Sequence, residues 1–151
     1  MKSPVTDICD LNRELPPDAP DAPQWLVDAL QVPREEGWVN SDGCDVHFFR
    51  WGDPANPPLL LMHGFLAHAR CMAFIAPFLA EQYHVVAYDL PGMGDSGVRS
   101  SYPDAVRAQE VVDVARETGL FDHAIKPIVI AHSYGGHVGL AAMNDFHELF
   151  G

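Results

Sequence analysis

Short apolar runs recur along the chain at 59–62, at His84–Tyr88 and at Ile128–Ala131. Continuous apolar runs of this length predict strands buried on both faces, as in a parallel sheet. Between the first two, Ile75, Phe78, Leu79 and Gln82 fall on related helical turns. Pro77 is expected in the first turn of that helix, where a missing N–H is tolerated. Between the second and third, Ala108, Val111, Val112 and Ala115 follow the i, i+3, i+4, i+7 pattern, with Pro103 near the start and Gly119 at the end. Residues 134–146 are largely apolar and helix-compatible. Upstream, Trp38-Val39 and 45–51 flank Asn40-Ser41-Asp42-Gly43, which predicts a β-hairpin. A loop follows at Gly52-Asp53-Pro54 and Asn56-Pro57-Pro58. Trp25, Leu26, Ala29 and Leu30 predict a short helix ending near Pro33.

The order is a hairpin, then β-loop-α, β-loop-α and β-turn-α. The fold class that follows is α/β: a mostly parallel sheet with helices on both faces, because right-handed crossovers place them so. Residues 1–36 read as a leader, with Pro16, Pro17, Pro20 and Pro23 among Asp18 and Asp21, closed by the short helix. Residues 37–151 read as the folded part. Ligands in such sheets bind at the carboxyl ends of the strands, and each of the apolar runs ends in a distinctive motif.

The run at Ile128–Ala131 passes into His132-Ser133-Tyr134-Gly135-Gly136. A strand that turns at once into a helix bends sharply, so the residues two before and two after the centre must be small. Here they are Ala131 and Gly135. Such a turn lifts the Ser133 hydroxyl above the strand ends, beside a helix N-terminus. The dipole and the free N–H of Tyr134 can there stabilise developing negative charge. The competing reading is a helix N-cap serine. The run at 59–62 passes into His63-Gly64-Phe65-Leu66. Gly64 is expected to let the backbone turn so that the Phe65 N–H becomes a second oxyanion donor. His63 is expected to bond loop backbone rather than act as a base. The run at His84–Tyr88 passes into Asp89-Leu90-Pro91-Gly92-Met93-Gly94-Asp95-Ser96. Gly92 and Gly94 permit a tight loop, and the Asp89 carboxylate is expected to cap its amides. No Gly-Lys-Ser/Thr follows, so this is no phosphate loop.

HGF, DLPGMGDS and AHSYGG, in this order and spacing, resemble the α/β-hydrolase superfamily over residues 38–146. FRWGDP also looks like that family's second strand. The resemblance implies a sheet with further strands and a Ser-His-Asp/Glu triad whose acid and histidine come later in the chain. The chain reaches Gly151 without them, and in this reading it is incomplete at the C-terminus and inactive alone. Of the histidines present, His132 is expected to point away from the cleft, His137 lies one turn into the following helix, and His68 could line the pocket mouth. His47, His84, His123 and His147 have no motif around them and read as core or solvated residues.

The expected activity is therefore serine hydrolysis of an ester or related acyl compound. The alternatives are other chemistry at the same site (carbon–carbon bond hydrolysis or a cofactor-free perhydrolase), or an inactive truncated product or binding module. Dehalogenase and soluble epoxide hydrolase relatives use an aspartate nucleophile, so Ser133 argues against both.

Composition narrows the partners. The 151 residues carry nine Lys+Arg against 21 Asp+Glu, a formal charge of −12. That balance argues against a nucleic-acid partner, whose affinity rests on basic neutralisation. The expected partner is a small acyl substrate. No His/Cys/Asp cluster has ligand spacing, so no metal is expected, and no cofactor is implied. Cys9, Cys44 and Cys71 form no Cys-x-x-Cys pair and read as thiols of a reducing compartment. No apolar run approaches the ~20 residues of a membrane span, and the first residues lack a signal-peptide core. The expectation is a cytoplasmic protein.

Overall fold

The computed structural model describes residues 22–150. Pro16, Pro17, Pro20 and Cys9 lie outside the described residues. Helix α1 (Gln24–Gln31) precedes strands β1 (Glu35–Ser41), β2 (Cys44–Trp51) and β3 (Pro58–Met62). A 3₁₀ turn at Ala69–Met72 and the one-turn helix α2 (Ala76–Leu79) lead to β4 (His84–Tyr88). Helix α3 (Asp104–Glu117), strand β5 (Ile128–Ala131) and helix α4 (Tyr134–Asp145) complete the order. The five strands form one sheet in the order β1-β2-β4-β3-β5. β3 is parallel to both β4 and β5, with Leu60 opposite Val86 and Met62 opposite Ala131. The hairpin joins antiparallel, β2 against β4.

The hairpin turn is tighter than the sequence suggests. Asp42 and Gly43, at φ 45° and 76°, make the whole connection, and Asn40 and Ser41 belong to β1. Positive φ at both central residues is the twist that matches paired strands. Asn40 stays at the turn through its side chain, which accepts from the Gly43 N–H and donates to Asp45.

Alternation along β3 and β4 divides the core between the two faces of the sheet. Leu60, Met62, Val86 and Tyr88 pack with Ala108, Val111 and Ala115 of α3 and Val138 of α4. Leu59, Leu61, Val85 and Ala87 pack with Phe49, Trp51 and the segment Ala69, Ala73 and Ala76. Both strands are buried on both faces, as their apolar runs predict.

Strand β5 departs from that expectation. It is an edge of the described sheet with β3 as its neighbour, and Ile128 and Ile130 are 47% and 50% exposed. An apolar run marks a strand that can be buried; burial itself needs neighbours on both sides. The helix expected around Ile75–Gln82 is also shorter than expected. It keeps Pro77 in its first turn but closes after Leu79, leaving Ile75 and Phe78 exposed. The 3₁₀ turn before it has no helical periodicity that would announce it. Among the described residues, no helix is long and apolar enough to cross a membrane.

Candidate active site

Strand β5 ends where the sequence places the sharp turn. The His132 N–H donates to Met62 O (3.0 Å), extending the pairing with β3. Ser133 then adopts φ 52° and ψ −116°, a backbone state that costs a non-glycine residue about 1–3 kcal/mol. Helix α4 closes immediately: Gly136 N–H and His137 N–H both donate to Ser133 O, at 2.9 and 3.3 Å. Ser133 occupies the N-cap position, yet its hydroxyl makes no capping hydrogen bond. The side chain is exposed and uncommitted, unlike an N-cap serine. Gly135 is small by necessity, since a Cβ there would stand 2.5 Å from His63 O and 3.0 Å from Met62 Cβ. The Ala131 methyl faces Gly139 of α4, 3.9 Å from where a Cβ would be.

The loop after β3 lies against this turn. A Cβ on Gly64 would be 2.8 Å from His132 Nδ1 and 3.3 Å from Ser133 Cβ. Gly64 does not have positive φ, so what it supplies is room for close approach rather than the unusual backbone turn expected of it. Positive φ falls instead at Leu66 (58°), an exposed residue that no sequence signal marks. The Phe65 ring, 65% exposed, meets the Tyr134 ring edge-on at 5.8 Å. Among the described residues neither the Phe65 nor the Tyr134 N–H has a hydrogen-bond acceptor.

His63 is buried and fully engaged. Its Nδ1–H donates to Gly64 O (2.7 Å), and its Nε2 accepts from the Leu90 N–H (3.0 Å). Burial pulls its pKa below the ordinary value, so it is a neutral brace between two loops. Asp89 is wholly buried at the end of β4. Its carboxylate accepts from the amides of Ala69 (2.5 Å) and Asp95 (2.9 Å) and from His47 Nδ1 (2.7 Å). Burial pushes its pKa up, but these hydrogen bonds outweigh it and hold the carboxyl below its usual range. Gly92 and Gly94 both have positive φ, at 87° and 55°. Side chains there would run into Tyr102 and the Asp89 carboxylate respectively.

The remaining histidines disperse. His132 is exposed, with its ring against Gly64. His137 pairs with Asp104 (3.0 Å) and stacks on Tyr134. The His68 ring lies 3.8 Å from Cys71 Sγ. His84 and His123 border an open cavity of about 580 Å3, together with the end of α3. His84 begins β4, so this cavity lies at the opposite end of the parallel strands from Ser133 and has no part in the site.

His47 is the residue the sequence reading undervalues. Its two ring nitrogens meet Asp89 and Glu36 at 2.7 and 2.9 Å. The available signal is alternation: His47 shares the inward face of β2 with Phe49 and Trp51, and a polar residue in an apolar row must find partners. The fold also brings donor atoms of His47, Asp89 and Asp95 within 4.8 Å of one another, a grouping the sequence spacing hides. Those donors are already committed, to each other, to backbone amides and, for Asp95, to Arg70 at 2.5 Å. The group is a hydrogen-bonded network, not a vacant ligand set.

Parallel strands that feed a strained serine, with a glycine loop packed against it, define a hydrolase-type α/β sheet. The Alpha/beta hydrolase family model matches residues 59–150, and the chain belongs to that family. It is 28% identical over 111 residues to the uncharacterized hydrolase YugF of Bacillus subtilis (strain 168), covering 72% of this chain and 39% of that protein. Among solved structures, a membrane phospholipase A described as a bacterial virulence factor superposes with a TM-score of 0.72 at 31% identity, covering 84% of this chain and 39% of that one. The 2-hydroxy-6-oxo-6-phenylhexa-2,4-dienoate hydrolase (BphD) of Rhodococcus sp. strain RHA1 gives 0.69 at 30% identity, covering 80% and 44%. The chain thus spans about two-fifths of these relatives' lengths.

Proposed function

We propose that these residues are the nucleophile half of a serine hydrolase acting on a carboxylic ester or related acyl compound. The observation that carries this reading is the backbone of Ser133, held at φ 52° with an uncapped, exposed hydroxyl at the head of α4. In this mechanism Ser133 Oγ attacks the acyl carbonyl. The oxyanion forms between the Phe65 and Tyr134 amides, which have no competing acceptor among the described residues, and the N-terminus of α4 adds its dipole. The tetrahedral intermediate collapses with cleavage of the ester C–O bond and departure of the alcohol, leaving a covalent acyl-enzyme, and water then adds to release the acid and restore Ser133. The protons move through a histidine outside these 151 residues, oriented by an acid also outside them. Within the chain, His63 has both nitrogens engaged and His137 is paired with Asp104. Without a base, Ser133 is a neutral hydroxyl and a poor nucleophile. Exposed Phe65 and Leu66, with Tyr134 and Met93, suit an apolar acyl group.

The likeness to a dienoate hydrolase supports a second reading, hydrolysis of a carbon–carbon bond beside a carbonyl, through the same serine and oxyanion donors. A fluorophosphonate probe applied to the full-length protein tests the shared part. It should label Ser133, and Ser133→Ala should abolish labelling and ester turnover together. Labelling that survives the substitution would overturn the assignment. A panel of aryl esters and vinylogous 1,5-diketo acids separates the two substrate readings.

A further inference from the structure

We propose that His47, held as an imidazolium between Glu36 and Asp89, is a positioning residue for the loop that bears the Phe65 amide. The proposal rests on the hydrolase reading for its consequence and on geometry alone for its premise. Carboxylate oxygens only accept hydrogen bonds. With ionised carboxylates at both ring nitrogens of a wholly buried His47, both contacts are hydrogen bonds only when both nitrogens carry hydrogen. A neutral ring would turn a lone pair toward one of the two carboxylates, either the wholly buried Asp89 or Glu36, whose side chain is 46% exposed.

The Asp89 end of this pair reaches the loop directly. Ala69 N–H is bonded to Asp89 Oδ1, and His63 receives the N–H of Leu90 while donating to Gly64 O. The segment from His63 to Ala69, which contains Phe65, is therefore pinned at both ends to two consecutive residues, Asp89 and Leu90. Those residues are in turn fixed to β2. Asp89 N–H donates to His47 O (2.8 Å), His47 N–H donates to Ser96 Oγ (2.8 Å), and that hydroxyl donates to Asp89 O (2.6 Å). His47 meets Asp89 through backbone and side chain alike, and its ring sets the direction of the carboxylate.

The surrounding charges fix the sign of the pH response. Glu36 approaches from β1, and Asp89 and Asp95 from the loop after β4. Arg70, from the 3₁₀ turn, pairs with Asp95. The Arg70 and Arg34 guanidiniums lie over the Phe49 ring, which abuts His47 edge-on. Trp38 covers the other side of the imidazole at 5.0 Å. Burial pulls the His47 pKa down, but the bonds to Asp89 and Glu36 outweigh it and leave it above the ordinary value. A histidine raised in the folded state keeps its contribution below its unfolded pKa and loses it as pH rises through the folded one. The His47 hold on the loop is accordingly present below the ordinary histidine pKa and is lost as pH rises through its raised folded value.

The test uses the isotopically labelled full-length protein, its His47→Gln variant and the milder Glu36→Gln. The glutamine amide that replaces the imidazole can donate to one carboxylate but cannot serve two. The expected result is a fall in exchange protection at the Ala69 and Asp95 amides by about tenfold or more, the scale of one charge-assisted hydrogen bond. Amides of Val111 and Val112 in α3 should not change. Glu36→Gln should lower the His47 titration while leaving the protein folded. If Ser133 is the nucleophile, His47→Gln should lower kcat with little change in KM and remove from the wild-type rate profile the limb in which activity falls as pH rises through the His47 titration. A His47 that titrates at or below the ordinary histidine range, or protection lost uniformly into α3, would overturn the proposal. Failure of Ser133 to react with a fluorophosphonate would count against the hydrolase reading instead, and the exchange data would then decide the positioning role by themselves.

Discussion

Gly64 and Ser133 stand so close that a methyl group on the glycine would come within 3.3 Å of Ser133 Cβ, while meeting His132 Nδ1 at 2.8 Å. The loop after β3 and the turn after β5 are therefore one packed unit, and the spacing of the proposed oxyanion donors depends on the absence of a side chain at Gly64.

Gly64→Val should accordingly be far more damaging than Phe65→Ala. The first drives the loops apart and displaces the Phe65 amide, and loss of one oxyanion donor costs about 10²–10³ in kcat. The second keeps the amide and forfeits the edge-on contact with Tyr134, worth about 0.5–1.5 kcal/mol. Steady-state ester hydrolysis by the two full-length variants checks this, and equal losses would count against the division between backbone and side chain.

The adjoining glycines of α4 should respond in opposite directions. A Cβ on Gly135 meets His63 O and Met62, whereas one on Gly136 meets nothing within 4 Å. Gly135→Ala should destabilise by about 1–3 kcal/mol through overpacking. Gly136→Ala should stabilise by about 0.5–1 kcal/mol, because alanine loses less backbone freedom in a helix. Urea unfolding of both variants measures the contrast.

Stability should form a dome in pH with separable limbs. Asp89, whose folded pKa is depressed, contributes above its unfolded value of about 3.9, and that contribution is lost as pH falls through the lower folded value. His63 and His84 have pKa values lowered by burial, so each favours the folded state above about 6.5 and withdraws that support as pH falls through its folded value. His47 gives the opposite limb, lost as pH rises through its raised folded value. Asp89→Asn should flatten the most acidic part, weaken the His47 limb that depends on the Asp89 carboxylate, and leave one of the Ala69 or Asp95 amides without its acceptor, at a cost of about 1–3 kcal/mol. Melting temperatures taken across the pH range for wild type and Asp89→Asn test both statements.

What could be read from the sequence follows from how local each signal is. β3 and β4 are buried runs visible in any short window, and the small residues at Ala131 and Gly135 announce the sharp turn at Ser133. Gly92 and Gly94 mark a tight loop because positive φ is a property of single residues. The His47 network could not be read so directly, since His47 and Asp89 are 42 residues apart and meet only once β2 pairs with β4. The exposure of β5 is likewise a matter of neighbours, and the early close of α2 follows from packing that periodicity does not encode.

That exposed edge leads to the last prediction. Along β5 one side is paired to β3, and the other has no strand partner among the described residues, beside the half-exposed Ile128 and Ile130. An apolar strand edge of this kind templates association with another chain. A polypeptide limited to residues 1–151 should therefore self-associate, and Ile128→Lys with Ile130→Lys should reduce association by charging the edge. Because both side chains are already half exposed, the double substitution should cost little stability, within about 0.5 kcal/mol per site as for ordinary surface changes. Size-exclusion chromatography with light scattering over a concentration series reads the first effect, and urea unfolding the second. The same polypeptide should hydrolyse a short-chain aryl ester no faster than its Ser133→Ala variant, since His63 has both ring nitrogens engaged and no histidine ring among the described residues is hydrogen-bonded to the Ser133 hydroxyl. Ser133-dependent turnover would mean that a histidine within these residues serves as the base, and a monodisperse monomer at high concentration would mean that the edge of β5 is protected.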